Sequence, residues 1–171
     1  MNIVLIGFRG TGKTTVGKIL SEQIKWKFIS SDDEIENRSG KISNIVRDNG
    51  WEYFRRLEEN VIENIAKEDK TIIATGGGAV INKKNVENLK KNGKFFLLTA
   101  DKEIIINRIK NSDRPSLTNQ VSIEDEVEKI LNERMPVYLS IADYIIDTSS
   151  LTPKDIAGKI FIFTMKDLMH K

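Results

Sequence analysis

Apolar positions along the chain alternate between short continuous runs and longer stretches of helical spacing. Residues 2–6 (NIVLI) form a β-branched run that predicts a buried strand. A glycine-rich turn covers Gly7–Gly12. Beyond it Val16, Ile19, Leu20 and Ile24 recur on one helical face, predicting a helix from Thr14 to about Lys25. Phe28-Ile29 predicts a second strand. Asp33–Arg38 reads as a helix start and Lys41–Gly50 as another short helix. Trp51–Ala66 is a longer helix with Phe54, Leu57, Val61, Ile62 and Ile65 aligned. Residues 71–74 (TIIA) predict a buried strand that ends in Thr75-Gly76-Gly77-Gly78. There follow a helix over Asn82–Asn92, a strand over Phe95–Thr99 and a helix over Lys102–Lys110. Asn111–Gln120 is polar, contains Pro115 and reads as a loop. Ser122–Ser140 is a helix, Tyr144–Asp147 a strand, and Pro153 opens a last helix near its first turn. Strands that alternate with helices imply an α/β fold with a central five-stranded parallel sheet covered on both faces. Ligands of such sheets lie at the carboxyl ends of the strands. The loops after the first three strands (7–14, 30–34 and 75–79) are expected to meet there.

Composition narrows the classes. The 171 residues suit one domain, here taken as 1–171. Hydrophobic residues are 39% and charged residues 30%, ordinary for a globular chain. Lys and Arg number 27 against 25 Asp and Glu, a net charge of +2 that gives no reason to expect nucleic acid or an anionic membrane as partner. Cysteine is absent, which excludes disulfides, thiolate zinc sites and Cys nucleophiles. The N-terminal apolar run is too short for a signal segment, and no stretch reaches transmembrane length. A cytoplasmic monomer is expected.

Gly7-Phe8-Arg9-Gly10-Thr11-Gly12-Lys13-Thr14 matches the phosphate-binding pattern G-x-x-x-x-G-K-[ST] in full. Glycines let backbone N–H groups turn inward around phosphate oxygens, and the helix that follows presents its positive end to the same anion. Gly10, Thr11, Gly12, Lys13, Thr14 and Thr15 are therefore the candidate ATP-binding residues. Lys13 is placed to reach the β- and γ-phosphates, and the Thr14 hydroxyl to ligate Mg²⁺. The guanine-reading Asn-Lys-x-Asp is missing: Asn82-Lys83-Lys84-Asn85 lacks the aspartate. A small chain with this loop at its start points to a metabolite or nucleotide kinase.

Five further strings, in order, make the chain resemble the shikimate kinases over nearly its whole length. They are Phe28-Ile29-Ser30-Ser31-Asp32-Asp33-Glu34-Ile35-Glu36, Phe54-Arg55-Arg56-Leu57-Glu58, Thr75-Gly76-Gly77-Gly78-Ala79, Arg114-Pro115-Ser116-Leu117, and Arg134-Met135-Pro136-Val137-Tyr138 with Ala142-Asp143 after it. The resemblance implies a P-loop fold of the nucleoside monophosphate kinase type, with substrate-binding helices over about 31–60 and a lid over about 111–121. It implies ATP-dependent phosphorylation of the shikimate 3-hydroxyl, within aromatic amino-acid (chorismate) biosynthesis. Shikimate is a carboxylate with three hydroxyls, and arginines can pair a carboxylate bidentately. The resemblance gives that task to Arg55 and Arg134. It makes Asp32 the carboxylate on the reacting hydroxyl, Gly76, Gly77 and Gly78 the backbone side of the substrate site, and Arg114 a lid cation on the transferring phosphoryl group. The bland alternatives are surface salt bridges for the arginines and a helix N-cap for Asp32.

Arg108 is a candidate for the adenine side. Arg9 carries no assignment, Arg56 is expected to face solvent or an acid, and Trp26 and Trp51 are read as packing groups. His170 reads as a tail residue. The sequence departs from the family's D-x-D-x-x-I-E at one place, since Ser30 stands where the first acid is usual. Weaker Mg²⁺ affinity is the expected consequence. Other readings of the same motifs are a different P-loop small-molecule or nucleoside monophosphate kinase, or a catalytically weak ATP-binding regulatory relative.

Overall fold

The computed structural model describes residues 1–110, 116–117 and 122–169. The strands are β1 (Asn2–Ile6), β2 (Lys27–Ser30), β3 (Thr71–Ala74), β4 (Gly93–Thr99) and β5 (Tyr144–Asp147). The helices are α1 (Lys13–Ile24), α2 (Ser31–Ser39), α3 (Ile42–Ile65), α4 (Lys83–Lys90), α5 (Lys102–Ile109), α6 (Ile123–Ile141) and α7 (Pro153–Met169), with a 3₁₀ turn at Ala79–Ile81. All strand pairs are parallel, in the order β2-β3-β1-β4-β5. β1 lies at the centre; from it the chain runs to the edge strand β2, returns to β3 beside β1, and then crosses to β4 and β5 on the other side. The loop after β1 therefore opens where the winding reverses, which is where open α/β sheets bind ligands.

Each strand divides its side chains between two cores. Val4, Ile6, Ile73, Phe95 and Leu97 pack on one face against α3, α4, α5 and α6. Ile3, Leu5, Ile72, Phe96 and Leu98 pack on the other against Val16 and Leu20 of α1 and Ile156 and Ile160 of α7. Burial on both faces explains why the strands read as continuous apolar runs. Each of these side chains is wholly removed from water, worth about 1.5–3 kcal/mol apiece.

One boundary differs from the sequence reading and one break bears it out, and both matter to the site. α2 begins at Ser31, because Ser30 is its N-cap: the Ser30 Oγ accepts from the Asp33 N–H at 3.2 Å. Asp32 is thus a first-turn residue and not the cap. The α3 span breaks at Gly50, whose φ of 81° is non-helical. The two legs correspond to the two helices expected over 41–50 and 51–66. Among the described residues no helix is long and apolar enough to cross a membrane.

Candidate active site

Two adjoining cavities open at the carboxyl edge of the sheet. The first is the P-loop cleft, about 1060 Å³ of open space lined by Gly10, Gly12, Lys13, Thr14, Thr15, Ser30, Asp33 and Arg108 among others. The loop takes its shape from Gly10 and Gly12, whose φ values of 83° and 92° suit glycine. Gly12 leads directly into α1. The Thr11 hydroxyl turns inward and donates to the Phe8 carbonyl at 2.8 Å, so its side chain braces the loop. Lys13 donates from Nζ to the carbonyls of Gly7 and Phe8, each at 2.8 Å. Burial lowers the Lys13 ammonium to about 8, although Asp32 pulls the other way. A buried cation of this kind gains from an anionic partner. Arg108 donates to the Gly10 carbonyl at 3.0 Å, which places it at the rim of the same cleft.

The second cavity, about 490 Å³, is lined by Ile42, Trp51, Phe54, Arg55, Glu58, Gly76, Gly78, Leu117 and Arg134. Its size suits a small metabolite. Arg9, Asp32 and Gly77 line both cavities and form the wall they share. An acceptor in the second cavity would therefore meet a phosphoryl group held by the P-loop across Asp32.

The α3 leg after Gly50 delivers the cation. Its guanidinium lies over Trp51 and Phe54, 5.4 and 5.2 Å from the ring centroids, and Arg55 donates to Glu58 at 2.7 Å. Trp51 meets Phe54 edge-on at 5.6 Å. Trp51 is thus a packing group as expected and also a wall of the pocket. Arg56, one position on, points away and pairs with Glu52 at 3.1 Å, as expected. Arg134 comes from α6. Tyr138, one turn later, donates its hydroxyl to the Gly77 carbonyl.

The three glycines are where these side chains approach the backbone. A Cβ on Gly76 would stand 2.6 Å from Asp32 Oδ1 and 2.9 Å from Glu58 Oε1. One on Gly78 would stand 2.8 Å from Arg55 Cζ. One on Gly77 would meet the Arg9 backbone nitrogen at 3.3 Å and Arg134 Nη1 at 3.7 Å. The Gly76 N–H is already donated to Ser31 Oγ at 2.9 Å, so Gly76 contributes space more than a donor.

The structure therefore gathers Lys13, Asp32, Arg55, Gly76, Gly77, Gly78 and Arg134 from five separate segments. Arg114 and most of the loop over 111–121 lie outside the described residues, as does His170. Sequence reasoning missed the role of Glu58. It is 1% exposed, burial raises its pKa against the opposing pull of Arg55, and its Oε1 has no hydrogen-bond partner inside the pocket. Its spacing of three from Arg55 was the available signal. Ser31 and Tyr138 were also missed, since nothing local marks them as braces of the glycine loop.

Comparison with known proteins agrees with this geometry. A family model described as shikimate kinase matches residues 9–164. A shikimate kinase of Thermodesulfovibrio yellowstonii is 41% identical over 93% of this chain and 92% of its own length. One from Syntrophus aciditrophicus is 42% identical over 93% of this chain and 88% of its own. The structure of shikimate kinase from Acinetobacter baumannii in complex with shikimate matches with a TM-score of 0.92 at 33% identity, over 97% of this chain and 93% of that one. The crystal structure of shikimate kinase from Aquifex aeolicus matches at 0.82 and 27% identity over the full length of both. On its sequence, its fold and the arrangement at the sheet edge, the chain belongs to the shikimate kinase family.

Proposed function

We propose that the protein transfers the γ-phosphoryl group of ATP to the 3-hydroxyl of shikimate, giving shikimate 3-phosphate and ADP. The observation that carries this reading is the shared wall. Asp32 stands between a phosphate cradle and a pocket flanked by two arginines and a buried carboxylate. In this reading Arg55 and Arg134 pair the acceptor carboxylate and set its orientation. Glu58 Oε1 accepts from an acceptor hydroxyl. Asp32 accepts from the reacting hydroxyl and takes its proton as the oxygen–phosphorus bond forms and the bond to the ADP oxygen breaks. Gly77 supplies backbone contact on the same side. Lys13 holds the β- and γ-phosphates, and Arg114 is assigned to the charge on the transferring group from its motif alone. Residues 31–60 would form the acceptor side of one domain, acting as a monomer.

The donor set fits a Mg²⁺ ion carried mainly by phosphate and water. Hydroxyls of Thr14 and Ser30 and carboxylates of Asp32 and Asp33 line the cleft, while no group of three metal-binding side chains occurs among the described residues. Thr14 is the residue placed to hold it. When bound, Mg²⁺ would neutralise charge on the β- and γ-oxygens.

The test is ADP release by the purified protein with Mg²⁺ and ATP, with shikimate, gluconate or a nucleoside monophosphate as acceptor. A rate that depends on shikimate is expected. Turnover on another acceptor with none on shikimate would refute the assignment.

A further inference from the structure

The first turn of α6 carries Glu124, Asp125 and Glu126, an acidic start that suits the positive end of a helix. Two of these face solvent, but Glu126 turns inward and is 4% exposed. Its Oε1 accepts from Arg9 Nη2 in the P-loop. Its Oε2 accepts from the Ser116 hydroxyl and, at 3.0 Å, from the Leu117 N–H. Arg9 is part of the wall between the two cavities, and Leu117 closes the side of the acceptor pocket. One carboxylate thus ties together three segments that meet at the reacting centre: the P-loop, the end of the Arg114-Pro115-Ser116-Leu117 motif, and the helix that carries Arg134. A buried carboxylate is costly to keep unless its hydrogen bonds are made. A purely structural tie could use apolar packing at less cost.

We propose that Glu126 is a positioning residue for the phosphoryl transfer, holding Arg9 and Leu117 in register around the acceptor. It touches neither the phosphates nor the acceptor and acts through those two residues. The inference rests on the shikimate kinase reading above.

Glu126→Gln keeps the shape and an acceptor for Leu117 but removes the charge that holds Arg9. Loss of a charge-assisted hydrogen bond should raise the acceptor KM about tenfold and lower kcat, with nucleotide Kd changed by less than about twofold. Arg9→Met should shift the same constants in the same direction. The double variant should lose less than the product of the two single losses, because both break one tie. The measurements are initial rates against each substrate, nucleotide Kd by calorimetry, and a thermal melt of each variant. If Glu126→Gln does not fold, Arg9→Met at the more exposed end of the pair carries the test. Unchanged acceptor KM and kcat in a folded variant would overturn the proposal, as would a double variant whose loss equals the product. Failure of the unsubstituted protein to phosphorylate shikimate would remove the underlying reading instead.

Discussion

Gly78→Ala isolates the arginine that is proposed to hold the acceptor carboxylate. Gly78 has φ −95° and ψ −6°, a conformation that alanine adopts without strain, so the backbone gives no reason for the variant to misfold. The new Cβ would nevertheless stand 2.8 Å from Arg55 Cζ. Carbon atoms rest at about 3.5–4.0 Å, so the guanidinium must swing aside by roughly 1 Å or more. That movement breaks the 2.7 Å bond to Glu58 and shifts the cation from its place over Trp51 and Phe54. A hydrogen bond to a charged group is worth about 1.5–3 kcal/mol, or roughly 10- to 150-fold in affinity. The acceptor KM should rise within that range. Gly78 does not line the P-loop cleft, so nucleotide Kd should hold. Steady-state kinetics against each substrate, with nucleotide calorimetry, read both constants. A folded variant with unchanged acceptor KM would refute the placement of Arg55, and a matching loss of nucleotide affinity would refute the separation of the two cavities.

Three further outcomes are expected. Because burial holds free Lys13 near 8 and nucleotide phosphates favour its charged form, ATP affinity should fall about tenfold per pH unit above 8, with uptake of up to one proton. Calorimetry in buffers of different ionisation heat measures both, and flat affinity from pH 7 to about 9.5 would contradict the assignment. Stability has the opposite sign: unfolded Lys13 binds more protons than folded Lys13 between about 8 and 10.5, so its contribution rises with pH across that window. Ser30→Asp keeps a competent N-cap for α2 and adds charge to the cleft that Thr14 also lines, so half-saturating Mg²⁺ should drop without loss of Tm. An unaltered Mg²⁺ dependence of turnover would count against a metal-side role for position 30. Arg56→Ala removes an exposed ion pair with Glu52 and a contact over the exposed Tyr53 ring, so activity should be unchanged and stability should move by no more than about 1 kcal/mol in chemical denaturation.

Much of this is legible in the sequence. Continuous runs such as 2–6 and 71–74 mark strands buried on both faces, and helical spacing from Val16 to Ile24 marks the element behind them. The phosphate loop is a local device whose glycines, lysine and helix start are adjacent in the chain, so its chemistry could be read directly. Helix beginnings are not marked in the same local way. Ser30, Ser31, Asp32 and Asp33 are all good cap or first-turn residues, and only the end of β2 decides that Ser30 caps and Asp32 faces the cleft.

What tertiary structure alone decided is the burial and company of the charges. The sequence shows Glu58 three residues after Arg55, but not that packing would remove it from water and leave Oε1 facing the pocket. It shows Arg9 and Glu126 as two ordinary charges. Their pairing across 117 residues follows from the packing that brings the first turn of α6 against the P-loop. Periodicity records which face of an element meets the core, because that choice repeats along the chain. Which charges share a cavity depends on how separate elements cross, and no local repeat records that.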